Sequence, residues 1–349
     1  MRRWRMGIIG CGWAGEQHAR AMRELTERVE LCGLADANVE VAEAKAGEWQ
    51  VPVWTSDYRD LLDSDQLDAV SICLPHHLHA TVAVKALEAR LHVLIEKPLA
   101  PTLTEADAMI AAADAAERQL MVAENVRYDA TYLRASGLIQ AGALGDVFLV
   151  RISREHHMHD YLRQRPWFLE QACAGIMYSG GIHDFELLRM LGGEVEHVYG
   201  LAGPKALQGM VGDDTSVALI GLQDGAAAVL VESFSLRTPD PGVHGTVHAG
   251  QGSLWFSQGH IQLYSAPEDG RQHLVEEMET PPCDTFKAEI AHLLDCLEQG
   301  VDPSTSGREE RKPLVAVLAT YESIRRGERV YLAEFDPRAI ASNARSPRP

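Results

Sequence analysis

The chain has 349 residues, 46% of them hydrophobic and 23% charged, which is room for two globular domains. A formal net charge of -18 argues against nucleic acid or an anionic membrane as the main partner, since both call for a basic face. The six cysteines form no C-x-x-C pair and several lie in apolar runs, so a reducing, cytoplasmic setting is expected.

The N-terminal third alternates two kinds of segment. RMGIIG (5–10) is a short apolar run ending at glycine. It is too short for a signal peptide core, and no later run approaches the ~18 apolar residues of a membrane span. The next residues, 16–28, place Ala19, Met22 and Leu25 on one helical face. Strands are expected at 29–36, 51–56, 68–75, 92–98 and 120–125. Helices are expected at 41–49, 79–91 and 104–119, the last with Thr104 as N-cap. Such alternation predicts a parallel sheet wrapped by helices, with ligands bound beyond the carboxyl ends of its strands.

The residues at those strand ends carry the motifs. GCGWAG after the first strand fits G-x-G-x-x-G at Gly10, Gly12 and Gly15. Gly10 permits the tight turn, Gly12 the approach of a pyrophosphate, and Gly15 close helix packing. Trp13 and Ala14 belong to the same cradle, at the N-terminus of the following helix. Asp36 ends the second strand and is placed to accept the ribose hydroxyls. Its charge repels a 2′-phosphate, so NAD is expected over NADP. Leu74, Pro75, His76 and His79 follow the fourth strand and are assigned to the cofactor rim. For His76 and His77 a solvated loop is the other reading; for His79, capping or packing. Glu96-Lys97-Pro98 ends the fifth strand, where the core gives way to a cleft. A structural salt bridge is the alternative there.

These stretches, with MVAENVRYDA (121–130), AGIMYSGGIHDFELLRMLGG (174–193) and the tail from residue 286, resemble the Gfo/Idh/MocA family, the relatives of glucose–fructose oxidoreductase and inositol dehydrogenase. The resemblance implies an α/β protein. A Rossmann dinucleotide-binding domain (1–125) precedes a C-terminal α/β domain (126–349) with a large, mostly antiparallel open sheet. That sheet commonly forms an oligomer interface, so a homodimer or homotetramer is expected. The run of strand-like segments after about residue 145 agrees independently. The resemblance also assigns Lys97 and His183 to the reacting carbinol, Glu96 and Asn125 to the cofactor, and Arg127 and Tyr128 to a variable substrate role. Three positions depart from the family pattern. The glycine triplet reads Cys173-Ala174-Gly175, and the residue four before the histidine is Ser179 instead of aspartate. The acid three after it is Glu186.

Alcohol oxidation needs a hydride acceptor and a group that removes the hydroxyl proton. A histidine titrates near neutrality, and a lysine stabilises alkoxide as a fixed cation. On one helix, Ser179 and His183 would share a face at i and i+4. Serine orients the imidazole but supplies no charge, so either His183 is more readily neutral here, or Glu186 or the substrate replaces the missing carboxylate. A packing role for His183 is the alternative. Arg154, His156, His157 and His159 form a second polar cluster, assigned to a polar ligand rather than to zinc. Residues 163–171 are expected to loop over the site, with Trp167 either covering the cofactor or packed in a core. The expected function is NAD-dependent oxidation of a sugar, cyclitol or related polyol, with no metal. The alternatives are an NAD-retaining lyase or glycosidase that uses transient oxidation, and a non-catalytic NAD-binding regulator.

Overall fold

A computed structural model describes residues 3–63, 66–170, 174–265 and 273–336. In chain order come β1 (Trp4–Ile9), α1 (Trp13–Glu24), β2 (Val29–Ala35), α2 (Val39–Trp49), β3 (Val53–Thr55), α3 (Tyr58–Leu62), β4 (Ala69–Ile72), α4 (His79–Glu88), β5 (His92–Glu96), α5 (Leu103–Ala116) and β6 (Leu120–Ala123). There follow α6 (Ala130–Gln140), β7 (Val147–Glu155), α7 (His159–Arg163), α8 (Pro166–Glu170), α9 (Ile176–Ser179), α10 (Gly181–Gly192), β8 (Val195–Ala202), β9 (Thr215–Leu222), β10 (Ala227–Ser233), β11 (Gly242–Ala249), β12 (Gly252–Ser257), β13 (His260–Ser265) and β14 (His273–Glu279). The chain closes with α11 (Thr285–Gln299), α12 (Gly307–Arg326), β15 (Val330–Tyr331) and α13 (Leu332–Phe335).

These elements group into two compact units. The first comprises Met1–Asn125 and Asp284–Arg311, the second Val126–Cys283 and Lys312–Pro349. A single division at 125/126 therefore does not describe the grouping, because α11 returns to the first unit. The reason lies in its apolar stripe. Ile290, Leu293 and Leu294 are fully buried, and each such side chain contributes about 1.5–3 kcal/mol on leaving water.

The first unit holds a six-stranded parallel sheet in the order β3-β2-β1-β4-β5-β6. Strands β4, β5 and β6 are largely apolar because helices cover both faces. Val70, Ile72, Val93, Leu94, Ile95 and Met121 are all fully buried. The strand order reverses between β1 and β4, the crevice where such sheets take ligands. The cap of α5 is Thr102, whose hydroxyl accepts the N–H of Glu105, and not Thr104, which lies inside the helix. A threonine followed three residues later by glutamate is the capping-box spacing, which Thr104 lacks.

The second unit holds a nine-stranded sheet in the order β14-β13-β12-β11-β7-β10-β9-β8-β15. Its pairs are antiparallel except β7 with β10. Strands β9 and β11 alternate buried and half-exposed residues, as expected for a sheet with one face covered by helices. The other face presents Leu201 and Leu219 about half exposed. Strand β14 escaped the sequence reading because its residues are almost all exposed, which leaves no buried alternation to detect.

Candidate active site

The glycine turn combines two tight positions with one open one. Gly10 has φ +96°, and a Cβ there would strike the carbonyl oxygen of Cys73. A Cβ on Gly15 would strike the carbonyl oxygen of Gly10. Gly12 has nothing within 4 Å of the same position, so its backbone is open to a ligand. Gly12 is also the N-cap of α1, with no side-chain cap, and Trp13, Ala14 and Gly15 form the first turn. First-turn N–H groups have no acceptor inside a helix and favour an anion. Asp36 is locked beside them. Its Oδ2 accepts the N–H of Cys11 and its Oδ1 the N–H of Asn38, both at 2.9 Å. Each oxygen keeps a lone pair for a ribose hydroxyl. An open glycine, an uncapped helix start and a fixed carboxylate suit a dinucleotide.

The next strand ends are more tightly built than expected. His79 is fully buried, with Nδ1 2.9 Å from the Pro98 carbonyl oxygen and Nε2 2.8 Å from that of Leu74. Both ring nitrogens face protein carbonyl oxygens, of which a neutral ring donates to one, so His79 is a strut between two strand-end loops and not a cofactor contact. Burial holds its imidazole below the usual range, although both carbonyls oppose this. His76 is buried edge-on to His79, at 5.7 Å between ring centroids, while His77 is exposed; the solvated-loop alternative holds only for His77. Leu74 and Pro75 are half-buried. Asn125 donates through Nδ2 to the Thr285 hydroxyl (3.3 Å), which leaves its carbonyl oxygen for other use.

Glu96 meets a residue that the sequence reading passed over. Its Oε1 lies 3.3 Å from His18 Nε2, and its Oε2 accepts the N–H of Lys97 at 3.2 Å. His18 Nδ1 is 2.7 Å from the Ser71 hydroxyl, and His18 Nε2 is 3.4 Å from Glu289 Oε1. Burial works against charge on Glu96, but the His18 hydrogen bond, the His18 charge and the Lys97 charge together outweigh it and hold the carboxyl below its usual range. A signal for His18 was present. It sits with Gly15, Ala19 and Met22 on the buried face of α1, at i, i+3, i+4 and i+7 spacing.

In the second unit, the stretch around His183 breaks the single-helix expectation. Ser179 ends α9 and Gly180 separates it from α10. The His183 N–H bonds the carbonyl of Gly180 (3.0 Å). The Ser179 hydroxyl donates to the carbonyl of Ala174 at 3.1 Å, so its one proton is spent and toward an imidazole it acts only as an acceptor. The glycines are packing requirements. A Cβ on Gly180 would lie 2.8 Å from Ile176 Cδ1 and 3.1 Å from Glu232 Oε2, and one on Gly181 would lie 2.6 Å from Met177 Sδ. His183 itself is half-buried in the first turn of α10.

The acids flanking His183 are each engaged by arginine. Asp184 takes a bidentate pair from Arg154, Nε to Oδ2 at 3.0 Å and Nη2 to Oδ1 at 2.6 Å. Arg154 is thereby an internal partner, not a ligand contact. Glu186 is fully buried and paired with both Arg127 and Arg189. The proposed substitution of Glu186 for the missing carboxylate is thus displaced by this ion triad, which also draws Arg127 away from a free substrate role. Tyr128 is half-buried at the end of a 3₁₀ turn. Beside Asp184 lies Glu232, fully buried and in register with Arg154 across β10 and β7. Burial first, then the Asp184 charge, push the Glu232 carboxyl well above its usual range.

The second histidine cluster also has protein partners. His156 Nδ1 lies 3.1 Å from Asp240, and His157 Nδ1 is 2.7 Å from the carbonyl oxygen of Leu236. The His157 and His159 rings meet edge-on at 6.2 Å. Among the described residues no group of His, Cys, Asp or Glu is arranged to hold a metal. The expected loop over the site is two short helices, α7 and α8, with Phe168 and Leu169 packed on a cluster that includes Leu162 and Phe234. Trp167 lies against Phe168, 4.0 Å between centroids. Gln171 and Cys173 lie outside the described residues.

Residues 4–124 match the oxidoreductase family with an NAD-binding Rossmann fold, and residues 132–255 match the GFO/IDH/MocA C-terminal domain. Among curated proteins the chain is similar to a D-apiose dehydrogenase of Paraburkholderia graminis, at 28% identity over 99% of this chain and 94% of that protein. It is also similar to a myo-inositol 2-dehydrogenase of Thermotoga maritima, at 24% identity over 95% and 99%. In fold it is similar to a levoglucosan dehydrogenase solved with NADH and levoglucosan, with TM-score 0.87 and 23% identity, covering 95% of this chain and 100% of that one. The chain belongs to the Gfo/Idh/MocA family of oxidoreductases and carries that family's NAD-binding Rossmann fold.

Proposed function

We propose that this protein oxidises a CH–OH group of a sugar, cyclitol or related polyol with NAD, Lys97 and His183 acting at the reacting oxygen. The observation that carries the reading is the first unit's sheet. An open Gly12 follows β1, a locked Asp36 follows the adjacent β2, and Glu96-Lys97 ends β5, on the far side of β4, which supports a cofactor crossing the reversal point. The relatives' sugar and cyclitol substrates supply the substrate class. Bound NAD supplies the hydride acceptor. The first turn of α1 binds the pyrophosphate, and Asp36 accepts the ribose hydroxyls and disfavours a 2′-phosphate. Lys97 stabilises negative charge on the substrate oxygen. His183 takes the hydroxyl proton; Ser179, its hydroxyl turned to the Ala174 carbonyl, supplies no charge at the position four residues before it.

The half-exposed leucines of the open sheet, Leu201 and Leu219, suit a homodimer or homotetramer. The free cysteines Cys11, Cys32, Cys73 and Cys296 suit a cytoplasmic setting. The test is NADH formation across sugars, inositols, sugar acids and sugar nucleotides. Tight NAD binding with no NADH formed from any of them would refute turnover as a dehydrogenase.

A further inference from the structure

Two carboxyl groups face one imidazole nitrogen in the first unit. His18 Nε2 is 3.3 Å from Glu96 Oε1 and 3.4 Å from Glu289 Oε1. His18 and Glu289 are both 0% exposed, and neither Glu289 oxygen receives a well-formed hydrogen bond from the described residues. One N–H cannot satisfy two carboxylates, and one cation cannot neutralise two buried anions. Where like charges share a buried site, one group takes up a proton. Glu96 has the Lys97 N–H and partial solvent contact to support its charge; Glu289 has neither.

The other titratable groups around the cluster are Cys73 after β4, Lys97 after β5, His79 on α4, Glu124 after β6 and Asp284 at the cap of α11. Burial first, then Glu96, Glu124 and Asp284, push Glu289 well above the usual carboxylate range against the pull of His18. For His18 burial acts the other way, and contacts with Cys73, Glu96 and Glu289 raise the imidazole well above its usual range against it.

We propose that His18 and Glu289 form a proton-holding pair that fixes Glu96 as a carboxylate and so positions Lys97 for the reaction; this rests on the role given to Lys97 above. The link is short. His18 holds one oxygen of Glu96, and the other oxygen holds the backbone of Lys97. The pair joins the helix that follows the glycine turn to α11, which gives the return of residues 284–311 to this unit a purpose beyond packing.

The test uses the full chain. Infrared difference spectra of wild type against Glu289→Gln at neutral pH are expected to show loss of the C=O stretch of a protonated carboxylic acid. Loss of a carboxylate band instead overturns the proposal, and this readout needs no substrate. His18→Gln is expected to lower kcat about tenfold or more with KM and NADH affinity within about twofold, because a displaced lysine weakens only the transition state. A lowered melting temperature with kcat intact would reduce His18 to a structural role and overturn the proposal. If wild type oxidises none of the compounds, the dehydrogenase reading fails separately. The rate at which an amine reagent labels Lys97 then replaces kcat, and an unchanged rate in His18→Gln overturns the positioning.

Discussion

The two units solve the same electrostatic problem with different cations. Beside Lys97 the first unit buries His18, Glu96 and Glu289; beside His183 the second buries Arg154, Asp184 and Glu232. Each set contains one cation, one ionised carboxylate and one carboxyl that keeps its proton. In each, the ionised carboxylate is a chain neighbour of the residue assigned to the chemistry. The difference is that imidazolium titrates and guanidinium does not. The cation of the second set therefore keeps its charge through the neutral range, while that of the first is conditional.

The largest effect is expected from removing the permanent cation. Arg154→Leu leaves Asp184 buried without its bidentate partner, at a cost of about 3–5 kcal/mol. His18→Leu is expected to cost less, about 1–3 kcal/mol, because Glu96 retains the Lys97 N–H and some contact with water. Urea denaturation of the two variants checks the order, and equal losses would break the comparison.

Next come the residues that the two sets adjoin. Lys97→Ala and His183→Ala are each expected to lower kcat about 10²-fold or more, the scale of a lost acid–base group. NAD affinity should hardly change in His183→Ala. Full activity in that variant with a verified substrate would remove histidine from the mechanism and leave only the lysine side of the comparison.

The pH dependence of stability separates the units more finely. Glu289 and Glu232 keep protons that the unfolded chain releases above about pH 4.3. Stability is thus highest below that pH and is lost as pH rises through the folded values, at up to about 1.4 kcal/mol per pH unit for each proton. His18 has the same sign, with onset near about pH 6.5, and Arg154 adds nothing. Glu289→Gln and Glu232→Gln should each flatten the decline measured by urea melts at a series of pH values. His18→Gln should flatten only the part above neutrality. A decline that Glu289→Gln leaves unaltered would mean that Glu289 is ionised and that the two sets differ in kind.

The smallest effect concerns the cofactor. Asp36→Ala is expected to narrow a preference for NAD over NADP of about tenfold or more, since the carboxylate repels a 2′-phosphate. Cofactor fluorescence titration reads it, and equal affinities in wild type would exclude that role for Asp36.

Much of the first unit was legible in the chain itself. The glycine turn, Asp36, and the Glu96-Lys97-Pro98 strand end follow from local rules, because tight turns and strand ends restrict which residues fit whatever lies elsewhere. Gly15 is closed by the nearby Gly10 carbonyl and Gly12 by nothing within 4 Å, while Gly10 is closed by the Cys73 carbonyl after β4 but is already marked by its positive φ. Charge pairing is different in kind, since it depends on distance in space. Nothing adjacent in sequence says that Glu289 returns to His18, that Glu232 lies under the Gly180-Gly181 turn, or that Arg127 closes on Glu186. Faint signals existed: His18 interrupts an apolar helix face, Glu289 lies on the apolar stripe of α11, and Glu232 continues the buried alternation of Ala228 and Leu230. Each marks a buried polar group that must have a partner. Only the tertiary structure names it, because a buried charge is stabilised by whatever the packed fold brings within about 4 Å, not by what precedes it in the chain.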